Sequence, residues 1–499
     1  MELAVQIPTY SPVQAWHDLQ QIAPIAIIAV ALLVGLIVDL LLPRGRRSRV
    51  VAGVAVAAYV LAGADAIWHW STGGGDLAYF GFASGDRFAL YFEVFYSVLG
   101  VMTVLISEPY LERRQLLGPE FHVITLAAIL GMMALSAATS LVTVFLALET
   151  FSVSLYLLCS WIRRDTRSQE SGAKYLLVGG FGSAFVLYGM ALAYGATGTT
   201  QINSIASTIG SLSNPLSNPL LILAVVLMGV GFAYKVSGAP FHQWTPDVYQ
   251  GAPLPVTMFM AVGTKSAAFA MILTVFGDAL GHLANEWRAL LAFVAVCSMV
   301  VGNVGALAQS SLKRLFAYSS IAQAGYILVG VVGGGEAGVS GVLFYLGAYL
   351  FMNFGALAVL TLMSGSEADC DRFHDLDGLG YRHPALGLML TLFMLSLAGF
   401  PPLVGFFGKL FVFQAAVATG WTWLVVIAVL ASVVSVAYYL RVVWHVYTPA
   451  RGRREEPAGA VSVVVVAVSA VMALALGVYP TLLLAGAILG SGPVLASGP

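Results

Sequence analysis

Three lysines interrupt apolar sequence at places where a charge is costly: Lys235, Lys265 and Lys409. A lysine near the centre of a bilayer costs about 2.5–3.5 kcal/mol on insertion scales, so each needs a partner or a task. Lys235 stands in Phe232-Ala233-Tyr234-Lys235-Val236-Ser237-Gly238-Ala239-Pro240, shortly before a proline that removes a backbone donor. Non-helical backbone at membrane depth is tolerated only inside protein or beside a watery cavity. A buried cation beside such a break reads as part of a polar path for ions, and a desolvated lysine can exchange its proton near neutral pH. Lys265 lies well inside the next apolar run, in Ala261-Val262-Gly263-Thr264-Lys265-Ser266-Ala267, too central to snorkel easily to an interface. Lys409 follows a second break, Gly399-Phe400-Pro401-Pro402. Glu149, in Phe145-Leu146-Ala147-Leu148-Glu149-Thr150, is the most clearly buried carboxylate in the sequence. It is expected to pair with Lys235, either as a movable counter-charge that controls proton release or as a fixed ion pair between helices.

Other polar residues have weaker claims. Lys174 opens the sixth apolar run and serves equally well as a positive anchor at the membrane edge. His242 lies in the first break, where it can relay protons or hydrogen-bond freed carbonyls. Tyr318, Ser319, Ser320, Gln323 and Tyr326 line one span and can hold water or act as helix glue. Glu93, Asp39 and Asp65 are read as satisfied helix-end carboxylates. The loop Glu367-Ala368-Asp369-Cys370-Asp371-Arg372-Phe373-His374-Asp375-Leu376-Asp377 superficially offers metal ligands. It reads better as a loop that is solvated or docked to a partner, so no metal is expected.

The elements that must hold these residues are membrane helices. The chain has 499 residues, 59% of them hydrophobic and only 9% charged, against about 25% charged in a soluble protein. The net charge of −1 gives no field for nucleic acid. The N-terminus lacks a basic n-region, so its first apolar run is expected to remain as the first span. Cys159, Cys297 and Cys370 stand alone, which supports neither disulfides nor an iron–sulfur site. No phosphate-binding fingerprint occurs; Gly73-Gly74-Gly75 and Gly333-Gly334-Gly335 are loop glycines.

Runs of about 20 apolar residues predict some fourteen spans: 22–42, 50–70, 88–106, 120–137, 140–162, 172–195, 218–250 (interrupted), 254–277, 287–308, 312–332, 337–363, 384–418 (interrupted), 420–447 and 459–488. With the N-terminus outside, the inner loops hold Arg44, Arg46, Arg47, Arg49, Arg113, Arg114, Arg163, Arg164, Arg167, Lys313, Arg314, Arg372, Arg382, Arg451, Arg453 and Arg454. The outer loops hold only Arg87 and Arg288, which puts both termini outside. Spans 4–8 and 9–13 then make two five-helix units of opposite direction, each broken in its fourth helix. Paired broken helices in inverted repeats point to a transport site. The expected fold is therefore all-α and integral to the membrane. Its expected divisions are 1–118 (spans 1–3), 119–280 (first repeat), 281–448 (second repeat) and 449–499 (last span).

The stretches 235–253 (KVSGAPFHQWTPDVYQGAP), 255–270 around Lys265, 318–330 (YSSIAQAGYILVG) and 399–409 (GFPPLVGFFGK) resemble the antiporter-like membrane subunits of respiratory complex I, the NADH-quinone oxidoreductase. The likeness covers nearly the whole chain and is greatest to the subunit N family. Lys174-Tyr175-Leu176 and a lysine rather than a glutamate at 409 favour that family over its paralogues. The resemblance implies proton translocation driven by electron transfer from NADH to quinone elsewhere in the assembly. It implies that Glu149 and Lys235 form a coupling pair, that Lys265 continues a central polar axis and that Lys409 leads outward. FMN, iron–sulfur clusters and quinone are expected in partner subunits, with no cofactor in this chain. The expected partners are paralogous and small membrane subunits of the complex and the lipid bilayer, in a bacterial inner membrane. Rival readings are a cation/proton antiporter subunit, the equivalent subunit of a ferredoxin- or F420-linked complex, and a scaffold whose ion pairs serve assembly only.

Overall fold

The computed structural model describes residues 11–73, 75–449 and 459–495; Arg451, Arg453 and Arg454 of the last basic loop, and Gly74, lie outside the described residues. α1 (Pro12–Gln21) is a short helix capped by the Ser11 side chain. α2 (Ala23–Leu41) and α3 (Arg44–Thr72) follow. α3 begins before the apolar run expected at 50, because arginine is a good helix former and its turn can extend beyond the hydrocarbon. A small hairpin, β1 (Leu77–Ala78) with β2 (Ala83–Ser84), leads into α4 (Arg87–Arg113). Asp86 caps α4 by accepting the Ala89 N–H at 2.9 Å. Pro109 lies inside α4 and offers no N–H to the Leu105 carbonyl. The Ser462 hydroxyl, from the C-terminal part of the chain, donates to that carbonyl at 3.2 Å.

α5 (Pro119–Ser136) and α6 (Leu141–Cys159) separate as expected at 137–140, with Ser140 capping α6. α7 (Thr166–Thr197) is capped by Asp165 and ends at Gly198, in the left-handed region. α8 (Ile202–Gly210) is a short helix outside the apolar runs. α9 (Pro219–Lys235) and α10 (Trp244–Gly251) are the halves of the broken seventh span. α11 (Leu254–Ile272) continues as a π-helical stretch over Leu273–Ala279. Then come α12 (Ala284–Leu307), α13 (Leu312–Gly333), α14 (Gly335–Leu362) and the single turn α15 (Leu379–Arg382). α16 (Pro384–Ala398) and α17 (Val404–Ala418) are the broken twelfth span. α18 (Thr422–Val446), α19 (Ala460–Val478) and α20 (Thr481–Leu495) complete the chain.

Among the described residues, twelve helices are long and apolar enough to cross a membrane, and α9, α16, α17 and much of α20 are shorter apolar pieces. One expectation fails in detail. The last span, read as continuous over 459–488, is two helices. Pro480 cannot donate to the Leu476 carbonyl, so α19 stops and α20 packs separately on α4 and α14.

Packing follows a repeated scheme. α5 packs on α6 and α11, α6 on α7, and α7 on both α9 and α10. α12 packs on α13 and α18, α13 on α14, and α14 on both α16 and α17. α11 and α14 meet at the centre, and nearly every residue of α11, α13 and α14 is buried. Helices apolar on all sides belong in such a core. α4 ties the first helices to both α11 and α14.

Candidate functional site

The first break places two lysines. Lys235 is the last residue of α9, and Ser237 then takes a left-handed conformation (φ 64°). A helix end leaves carbonyls without intrahelical donors. Here the Tyr234 carbonyl accepts from Trp244 Nε1 at 3.2 Å, and the Val236 carbonyl from Lys265 Nζ at 3.4 Å. The Ala239 N–H donates to Ser298 Oγ of α12 at 2.9 Å, fixing the irregular backbone. Lys265 also donates to the Ser320 carbonyl of α13 at 2.5 Å. Lys235 donates to Ser152 Oγ at 2.9 Å and lies 5.9 Å from the Phe151 ring centre.

The second break repeats the device. α16 ends at Gly399 (φ 94°), and Lys409 of α17 reaches back to the exposed carbonyls of Leu397 (3.2 Å) and Ala398 (2.8 Å). Its third partner is Ser432 Oγ at 2.7 Å, and the Tyr326 ring lies 4.8 Å below the ammonium. The negative end of a helix suits a cation. Hydrogen bonds to a charged group are worth about 1.5–3 kcal/mol each, so three of them offset the burial of Lys409 without a carboxylate. Lys235 has one such bond and is the least supported of the three.

A ribbon of polar groups on α13 joins the two breaks. Ser320 Oγ lies 3.5 Å from the Tyr249 hydroxyl, and Ser319 Oγ lies 2.6 Å from the Tyr439 hydroxyl. Gln323 Nε2 donates to Tyr439 at 3.0 Å and to the Leu397 carbonyl, which Lys409 shares, at 3.1 Å. Tyr345 donates to Gln323 Oε1. Asn303 donates to the Tyr326 hydroxyl and accepts from Tyr438, both at 3.0 Å. Ser319, Ser320, Gln323 and Tyr326 were visible in the sequence. Ser152, Asn303, Tyr345, Ser432, Tyr438 and Tyr439 were missed, although the adjacent Tyr438-Tyr439 inside an apolar run was a signal.

Other expected residues sit differently. Glu149 is half-buried, with Oε1 enclosed, and makes no ion pair with Lys235 within 4.0 Å; Ser152, three residues on, takes the lysine instead. Among the described residues the fully buried carboxylate is Glu93, which is not the satisfied helix-end group expected. Asp39 does pair with Arg47 at 3.0 Å, and Asp65 lies 3.6 Å from His69. Lys174 is bound at the arginine-rich end by Glu170 (2.7 Å) and Asp247 (2.8 Å), and Asp247 also holds Arg314 at 2.8 Å. His242 and Tyr318 face each other beside the first break, ring centres 6.4 Å apart.

The acidic loop is docked to its own chain, correcting the solvated or partner-bound reading. Asp369 binds Arg114 (2.7 Å), Lys313 (2.9 Å) and the Tyr110 hydroxyl (2.6 Å), and Asp371 caps α13. Lys313, expected in a loop, is buried and also donates to the Ala252 carbonyl at 2.6 Å. A cavity of about 910 Å³ opens here beside Asp165, Gln250, Lys313 and Asp369. Among the described residues, no group of three or more His, Cys, Asp or Glu side chains is arranged for a metal.

Two broken helices with lysines on their exposed carbonyls, joined through a buried polar ribbon, define a polytopic membrane protein of the ion-translocating class. The profile described as NADH:quinone oxidoreductase/Mrp antiporter, TM, matches residues 138–435, and the chain belongs to this family. It is 46% identical to NADH-quinone oxidoreductase subunit N of Trichlorobacter lovleyi over 72% of this chain and 74% of that protein. It is 43% identical to NAD(P)H-quinone oxidoreductase subunit 2 of Synechococcus elongatus over 85% of this chain and 80% of that protein. A chain in the structure of respiratory complex I from Thermus thermophilus with bound aureothin is similar at 34% identity and a TM-score of 0.79, covering 93% of this chain and 98% of that one.

Proposed function

We propose that this chain is the proton-translocating membrane subunit of a bacterial NADH-quinone oxidoreductase. The observation that carries the proposal is the pair of helix breaks whose lysines are joined along α13. A signal from neighbouring subunits shifts the balance between Glu149 and Lys235. Lys235 has only Ser152 as a direct partner, so a change in its distant counter-charge alters its hold on a proton strongly. The proton passes from Lys235 to Lys265 and then, by way of the Ser320, Ser319 and Tyr439 hydroxyls on and beside α13, to Lys409, while the Gln323 amide orients Tyr439. A hydroxyl in such a relay accepts one proton as it gives up another. Lys174, with Asp247, stands at the intake on the arginine-rich side, which we assign to the cytoplasm, with both termini outside. His242, Tyr318 and Tyr326 flank the route.

The matched packing of α5, α6, α7, α9/α10 and α11 with α12, α13, α14, α16/α17 and α18 supports two inverted units over 119–280 and 281–448. Cys159, Cys297 and Cys370 lie on α6, on α12 and in the acidic loop, a scatter that does not suit a cluster. We therefore assign iron–sulfur clusters to partner subunits and, from the family resemblance, FMN and the quinone site as well. The test is a native gel of mildly solubilised membranes, stained for NADH oxidation, with the co-migrating chains identified by mass spectrometry. The proposal predicts an active band containing flavin and iron–sulfur subunits. Co-migration with other membrane chains alone, without NADH oxidation, would contradict it.

A further inference from the structure

Glu93 is 0% exposed, and neither of its carboxyl oxygens has a hydrogen-bond partner among the described residues. A buried carboxyl must be paired, hydrogen-bonded or carry a proton, since an isolated charge in an apolar interior is prohibitively costly. Among the described residues no cation lies within ion-pair distance of it, and the acids Asp86 and Asp65 are near enough to act on it. Further buried hydroxyls without a hydrogen-bond partner among the described residues lie on α3 and α4, those of Tyr59, Tyr96 and Ser97, and Asp65 Oδ2 has only His69, at 3.6 Å. Ser97 sits directly against Gly63 of α3. Tyr96 faces Ser266, the residue after Lys265, across the α4–α11 contact.

These groups are ordered in depth. Ser266 lies midway along α11. Tyr96 lies about 13 Å from the start of α4 and Glu93 about 9 Å, at 1.5 Å per residue. α3 runs the other way, so Asp65 stands about 10 Å from its end and His69 about 4 Å, one turn nearer the surface. His69 Nε2 is 3.6 Å from Asp65. Polar groups thus descend from the central lysine through Tyr96 to Glu93 and Asp65, which lie at about one level on facing helices, and then to His69 near the hairpin end, opposite the arginine-rich end.

We propose that Glu93 is a proton-carrying residue of a second outward branch, running from Lys265 through Ser266 and Tyr96 to Glu93, Asp65 and His69. This rests on the proton-translocating reading given above. In the step, the Glu93 carboxylic acid releases its proton toward Asp65 and becomes a carboxylate. The Lys265 ammonium then gives a proton to the Ser266–Tyr96 hydroxyls, which pass one on to the carboxylate, leaving a neutral amine to be recharged from Lys235. The helices outside the two five-helix units then take part in transport and do not merely pad the assembly.

The experiment measures proton release per NADH oxidised by the purified, reconstituted complex. It compares wild type, Glu93→Gln, Glu93→Asp, Tyr96→Phe and, as the control on the underlying reading, Lys235→Ala. The branch predicts at least a twofold loss with Glu93→Gln in an assembled complex, recovery with Glu93→Asp and an intermediate loss with Tyr96→Phe. It also predicts an infrared carboxylic-acid C=O band that shifts in heavy water and is absent from Glu93→Gln. Wild-type pumping by Glu93→Gln, while Lys235→Ala is inactive, overturns the branch and leaves the main path intact. Undiminished pumping by Lys235→Ala overturns the main path itself. If Glu93→Gln fails to assemble, the Tyr96→Phe ratio decides: a loss supports the branch, and a wild-type ratio overturns it.

Discussion

Lys409, Lys265 and Lys235 are bound by three, two and one hydrogen-bond acceptors respectively, and that gradient sets what each can do. Lys409 is firmly held, as suits the terminal site of the proposed path, whereas Lys235 depends on Ser152, with Glu149 more distant. Ser152→Ala should therefore slow NADH-driven pumping about tenfold, the equivalent of one hydrogen bond to a charged group, without changing assembly. Proton uptake measured on reconstituted complex checks this. The charges at the arginine-rich end behave differently. Burial pushes the Asp369 carboxyl up, but Lys313 and Arg114 outweigh burial and hold it below the ordinary carboxylate value. A carboxyl lowered by folding contributes stability that is full above its unfolded value of about 3.9 and is lost as pH falls through the folded value. Docking of the 364–371 loop should thus be constant between about pH 5 and 8 and fail only in stronger acid. Asp369→Asn strands Lys313 and Arg114, at a cost of about 3 kcal/mol, so amide exchange in that loop should quicken about a hundredfold.

Each break is organised by one residue with positive φ, Ser237 in the first and Gly399 in the second. For a residue with a side chain this conformation costs about 1–2 kcal/mol. Ser237→Gly should raise the thermal stability of the complex, and Gly399→Ala should lower it. The alanine methyl would also press on Lys409 Nζ at 3.2 Å, so pumping should fall with stability in that variant alone. A thermal-shift series with paired pumping assays separates the two effects. The breaks were legible in the sequence because Pro240 and the Pro401-Pro402 pair announce them. So was the all-α membrane character, with the boundary at 137–140, although twelve described helices and not fourteen are long and apolar enough to span. Pro480 carried the same signal and was overlooked, since it sits in an otherwise unbroken apolar run. The carboxylates were harder to read. Glu93 and Asp39 both lie near helix ends in sequence, and only the packing of α4 against α3 and α11 separates the buried acid from the one paired to Arg47. Glu149 was placed in an apolar run correctly, but its distance from Lys235 depends on how α6 and α9 are rotated, which periodicity does not give.

At the scale of the molecule, the driest helices carry the polar ribbon. α11, α13 and α14 are almost wholly buried, so Ser319 and Gln323 of α13 find their partners in Tyr439, Tyr345 and the Leu397 carbonyl instead of in solvent. In such surroundings a hydrogen-bonded chain is strong and an unpaired member is costly, which favours a continuous route. Tyr439→Phe interrupts that route beyond Ser319 and should slow pumping several-fold while leaving the helices packed. The most direct test of the whole account is Lys235→Ala in an assembled, reconstituted complex, with proton translocation and NADH oxidation recorded together. Translocation should be abolished in a complex whose subunit composition is unchanged. Translocation at the wild-type ratio in the assembled variant would contradict it.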